Sequence, residues 1–161
     1  MLHLQALQEI AQERFLFPNE RYPHLKTFLN RPERTMGVQA AKSVVYPDIV
    51  VLQWPEKVVQ MLAVVETAAT VNVEAASGRW HPFSQAGPLY LFVPVGYVEE
   101  TKRLCKAQGV RYVGLRTWRH LVGYGNFEIT DIETSASGGL EALLPAFLAR
   151  MLDRRKGSRL E

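Results

Sequence analysis

Two apolar runs, VVYPDIVVLQW (residues 44–54) and VVQMLAVVE (residues 58–66), are separated only by Pro55-Glu56-Lys57. Runs rich in β-branched residues on either side of a turn tripeptide read as an antiparallel strand pair. The second run is apolar at nearly every position, the pattern of a strand central in a sheet and covered on both faces. A chain that contains such a strand needs helices on both sides of the sheet. Candidates are present. Leu4, Leu7, Ile10 and Ala11 recur at helical spacing within residues 2–14, and residues 97–108 form a helical stretch stopped by Gly109. Leu140, Leu143, Leu144, Phe147, Leu148 and Met151 mark a last helix over 140–154.

The remaining segments fill in an α/β order. Residues 89–95 and 110–116 read as third and fourth strands, residues 127–132 as a short edge strand, and residues 135–139 as a turn. Thr70 or Asn72 is placed to cap a helix carrying Val73, Ala75 and Ala76, with Gly78 and Pro82 leaving its extent open. A short helical stretch is expected around His24–Leu29. Residues 30–43 are polar and basic without a period, which reads as a mobile loop whose Arg31, Arg34 and Lys42 can cover a cleft. The expected architecture is a central mixed sheet of four to five strands flanked by helices. It forms one domain over residues 1–150, followed by a basic tail at 151–161.

Composition limits the classes of function. The chain has 161 residues, 47% of them apolar, enough for one domain with a real core. No apolar run approaches the roughly 20 residues that span a bilayer, so no membrane partner is expected. Glu9 and Glu13 near the start do not suit a signal peptide. The single cysteine, Cys105, excludes an intramolecular disulfide and a cysteine-rich metal site, and fits a reducing, cytoplasmic compartment. It shares a helix face with Val98, Thr101 and Leu104, which reads as a packed thiol rather than a nucleophile. Five of the 19 basic residues and two of the 16 acidic ones lie in residues 150–161. The rest therefore carries 14 of each, and its neutral balance makes no general case for a phosphate-backbone partner.

Asp48 follows Pro47 at a bend, and Glu66 ends the next strand. A short hairpin can bring these carboxylates to one edge of the sheet. Two close carboxylates repel unless a cation sits between them, and hard oxygen ligands suit Mg²⁺ or Mn²⁺. Such an ion polarises a phosphodiester and activates water. Two plainer readings stay open. Pro-Asp is common turn chemistry, and a glutamate at a strand end is often simply solvated.

The elements YPDIVV (46–51), LAVVETAA (62–69) and LYLFVPV (89–95), in this order of helices and strands, resemble the PD-(D/E)XK nuclease superfamily, which has a restriction-endonuclease-like fold. The resemblance covers about residues 1–120. It implies that Asp48, Glu66 and the carbonyl of Thr67 hold the metal. It also places the usual catalytic lysine at position 68, where this chain has Ala68. A lysine there would orient the attacking water and offset negative charge. Lys42 and Arg79 are the candidates for a relocated cation; Arg79 can bind phosphate but cannot act as a base. Lys57 belongs at the far end of the hairpin. The expectation is a metal-dependent nuclease-like domain acting on nucleic acid, with weak or lost activity. The alternative is a non-catalytic interaction or assembly module on the same fold, working with a protein partner or as a homodimer. Arg111, Arg116 and Arg119 form a candidate basic edge near the last strand.

Overall fold

The computed structural model describes residues 2–121 and 126–135. Helix α1 (Leu2–Arg14) leads into β1 (Leu25–Leu29). A small hairpin of β2 (Val38–Gln39) and β3 (Val44–Val45) follows. Next come β4 (Ile49–Gln53) and β5 (Val58–Val65). The helical stretch after them has three parts: α2 (Val73–Ala75), a wider π turn (Ala76–Trp80) and α3 (His81–Ala86). Strand β6 (Leu89–Pro94), α4 (Val98–Gln108), β7 (Gly114–Leu121) and β8 (Asn126–Thr134) complete the described chain.

Six strands form one mixed sheet in the order β1-β4-β5-β6-β7-β8. The first three run antiparallel in turn, β5, β6 and β7 are parallel, and β8 returns antiparallel. The α/β class holds and so does the hairpin for residues 49–65, but Val44 and Val45, read as the start of its first strand, pair instead with β2, and the sheet is wider than four to five strands. The added width comes at the edges. Residues 25–29, expected to be helical, pair with β4 from Leu25↔Gln53 to Leu29↔Ile49. Five residues are too few to sustain a helix alone, whereas Thr27 and Phe28 suit a half-buried ladder. Strand β7 begins later than expected and continues through His120, because its pairing with β8 extends to Leu121↔Asn126. The expected turn at 135–139 lies almost entirely outside the described residues, and the helix at 140–154 and the tail at 151–161 lie wholly outside them.

The two sheet faces carry separate cores. On one, α2, the π turn, α3 and α4 bury Trp80, Phe83 and Leu104 against Val50, Leu62, Val64 and Leu91. On the other, Ala6, Leu7 and Ile10 of α1 pack with Val51, Val65, Phe92 and Trp118. Alternation along β5 explains its apolar run, since successive residues feed opposite cores. Local signals set several boundaries. The Asn72 side chain accepts a hydrogen bond from the Ala75 N–H at 2.8 Å and caps α2. Gly109 takes the left-handed conformation, φ 66°, that closes α4. Among the described residues, no helix is long and apolar enough to cross a membrane.

Cys105 is buried on α4, and burial, followed by the nearby Glu133 charge, pushes its thiol up from 9.0 to about 12. The folded state thus holds the thiol proton more tightly than the unfolded chain. The resulting stability is complete below pH 9 and is lost as pH rises from about 9 through about 12. Cys105 should resist iodoacetamide at pH 8 in the native protein and react once urea unfolds it; fast labelling of the folded form would contradict a packed thiol. In the other core, Phe92 is 2% exposed and meets the Phe15 ring edge-on at 5.8 Å. Phe92→Ala should cost about 3–5 kcal/mol in urea unfolding.

Candidate functional site

Asp48 lies at the entrance to β4, 3% exposed. Its backbone carbonyl accepts the Asn30 N–H at 3.0 Å. One carboxylate oxygen, Oδ2, accepts the backbone N–H of Val65 at 2.8 Å, which ties it to the end of β5. The other, Oδ1, accepts Arg31 Nε–H at 2.8 Å. His3 of α1 approaches the same point. Its Nε2 lies 2.5 Å from the Val65 carbonyl, to which it donates, and 3.9 Å from Asp48 Oδ2.

Glu66 follows the last residue of β5 and is fully buried. Its Oε2 accepts Arg79 Nη2–H at 2.8 Å, and its Oε1 accepts the Trp80 indole N–H at 3.0 Å. The backbone is engaged as well. The Glu66 N–H donates to the Phe92 carbonyl at 2.8 Å, and its carbonyl accepts the Trp118 indole N–H at 3.0 Å. The π turn delivers the successive side chains of Arg79 and Trp80 to this one carboxylate; such turns are frequent at functional sites. An anion this deep requires a cation and hydrogen-bond donors, since desolvation otherwise costs several kcal/mol.

The short hairpin thus places both residues at one end of the β4–β5 pair. The plainer reading of Glu66 as a solvated strand end does not hold. Arg79 joins the site as the partner of Glu66. Lys42 does not line it; this exposed side chain borders a separate hollow of about 300 Å³ with His81 and Gln85. Ala68 is exposed in the turn after β5, which ends at Val65, so position 68 is not on the strand face that a strand-borne lysine would need. The Thr67 carbonyl accepts the Thr70 N–H at 3.1 Å and the Thr70 hydroxyl at 3.2 Å. Arg116 and Arg119 pair with Asp131 at 2.7 Å and Glu128 at 2.9 Å, so they serve β7–β8 pairing.

Every oxygen of the expected metal-ligand set is therefore engaged by a protein donor. Each of these carboxylate oxygens accepts one hydrogen bond and keeps a second lone pair, so a divalent ion at Asp48 and Glu66 would have to share them with Arg31 and Arg79 or displace those arginines. Among the described residues, no group of three or more His, Cys, Asp or Glu side chains is placed to hold a metal.

What opens beside the pair is a cleft of about 460 Å³. Arg31, Arg34 and Arg79 line it, with Asp48, Tyr46 and Gly78 between them. The loop that carries Arg31 and Arg34 is organised by one buried amide. Asn30 Nδ2 donates to the carbonyls of Met36 and Pro47 at 2.8 and 2.7 Å, while its Oδ1 accepts the N–H groups of Thr35 and Met36 at 2.8 Å each. The segment read as a featureless loop thus has an internal scaffold, which its polarity concealed. The sequence reading also missed Trp80 and Trp118 as donors. A glutamate at the end of an apolar strand was the available signal, because a buried carboxylate demands N–H partners.

Comparison with family models, curated proteins and solved structures finds no match for this chain.

Arg79→Ala leaves the Glu66 charge buried and should cost about 3 kcal/mol, the low end for such a pair because Arg79 keeps some contact with solvent. Glu66→Gln in that background should recover part of the loss. Urea unfolding of the wild type, both single variants and the double variant gives the coupling. A loss below about 0.5 kcal/mol for Arg79→Ala would mean that the Arg79–Glu66 pair does not hold the fold together.

Proposed function

We propose that this chain is a PD-(D/E)XK-like domain whose cleft binds nucleic-acid phosphates without cutting them, with Asp48 and Glu66 serving to anchor arginines. The observation that carries this reading is that each acid of the motif is already paired with an arginine of one cleft. Arg31, Arg34 and Arg79 outnumber their two carboxylate partners, leaving one net positive charge at the cleft although residues 1–149 as a whole carry 14 basic and 14 acidic residues. Each pair also leaves donors over. Arg31 uses its Nε–H for Asp48 and Arg79 one Nη–H for Glu66, and a guanidinium carries five N–H donors. Arg34 makes no ion pair with a described residue. Free donors on arginines fixed by carboxylates suit the fork geometry of a phosphate. An antiparallel β1-β4-β5 run, followed by a helical crossover to a parallel β6, supports the restriction-endonuclease-like reading.

Metal-dependent cleavage is the second reading. The placement of both acids at the end of one hairpin favours it, with Mg²⁺ or Mn²⁺ taking the oxygens that Arg31 and Arg79 hold. One experiment separates the two. Anisotropy titrations of a labelled oligonucleotide at several salt concentrations should give binding that weakens with salt. The Arg31→Ala, Arg34→Ala double variant should lower the log–log slope by about one to two. The strand should remain intact in Mn²⁺. Binding that ignores salt would sink the phosphate reading. Cleavage that requires Mn²⁺ and is lost in Asp48→Asn would establish the second.

A further inference from the structure

We propose that Tyr46 is a base-stacking platform and that the cleft takes a single-stranded segment, one nucleotide lying between Tyr46 and Arg79. The proposal rests on the phosphate-binding reading above and names its substrate class. Tyr46 is a half-buried ring in the cleft wall. The loop is pressed against it at Gly37. A Cβ on Gly37 would lie 2.5 Å from Val44 Cγ1, 3.0 Å from Tyr46 Cε1 and 3.1 Å from Tyr46 Cζ. A larger residue there would press on Val44 and on the Tyr46 ring, so glycine lets the loop lie against the ring. The four hydrogen bonds of Asn30 hold the same loop from within.

Arg34 covers the ring face, its Cζ 4.6 Å from the centroid. Arg34 is exposed and paired with no described carboxylate, so this cover is easily exchanged. A nucleobase presents a flat π face of the kind that stacks on tyrosine, and its phosphate gives Arg34 a better partner than the ring. On the other side Gly78 lines the cleft, and a Cβ there would meet nothing within 4 Å. That open wall lies next to Arg79, leaving room for sugar and phosphate. A volume of about 460 Å³ lies in the range of small-ligand sites, about 300–1,000 Å³. It suits an unstacked nucleotide. In a duplex the base faces are already stacked, so only phosphates would reach the rim.

The test uses the whole chain and three labelled probes at one salt concentration. They are an oligothymidylate of about twelve nucleotides, an abasic deoxyribose-phosphate strand of equal length, and a duplex of that length. Wild type should bind the oligothymidylate about tenfold more tightly than the abasic strand, equivalent to about 1.4 kcal/mol. Tyr46→Ala should remove that ratio and Tyr46→Phe should keep it. Equal binding of the normal and abasic strands by the wild type, or tighter binding of the duplex, overturns the platform while leaving the arginine cleft standing. Binding of none of the three overturns both. The wild-type ratio needs no variant, so a poorly folded Tyr46→Ala does not blunt the test.

Discussion

Within the described structure, the most demanding single group is the Glu66 carboxylate. It is an anion with no exposed surface, and the four polar groups of Glu66 reach three elements. Oε2 meets Arg79 and Oε1 meets Trp80 of the π turn, the N–H meets Phe92 of β6, and the carbonyl meets Trp118 of β7. Trp80 belongs to one core and Trp118 to the other. The two hydrophobic layers are therefore joined through one residue at the end of the central strand. Burial of the Trp80 indole and of the Glu66 carboxylate depend on one another, and the Trp118 indole and the Glu66 carbonyl do likewise, since each buried polar group satisfies the other.

The same arrangement decides the character of the cleft. A guanidinium and a divalent cation compete for the same carboxylate oxygens. With Arg31 on Asp48 and Arg79 on Glu66, the pair holds arginines at fixed positions along one wall. Asp48 is bound on its second side by a backbone N–H, so its orientation is set by the β5 backbone rather than by a flexible partner. Arginines held this way offer anion donors without the rotamer entropy that a free surface arginine loses on binding.

Sequence reading worked where the physics is local and stopped where it is not. The Asn72 cap and the Gly109 stop follow from their own residues. The β4–β5 hairpin follows from two apolar runs and a three-residue gap. Residues 25–29 were misread because their sequence has no decisive period and pairing with β4 settles the matter. Residues 30–43 looked unstructured for a related reason. Their order comes from the Asn30 side chain bonding to backbone atoms up to 17 residues away and from the two-residue pairing of β2 with β3.

By itself, the sequence determined the α/β class, the central position of β5 and the placing of Asp48 and Glu66 at one end of a hairpin, because a short turn leaves its ends no other place to go. Only the tertiary structure decided what those carboxylates do. Arg31 reaches Asp48 across 17 residues, Arg79 and Trp80 reach Glu66 across 13 and 14, and Trp118 reaches it across 52. No propensity or spacing rule encodes such partners. They are chosen when the helical layer closes over the sheet and a buried charge must find donors within hydrogen-bond reach.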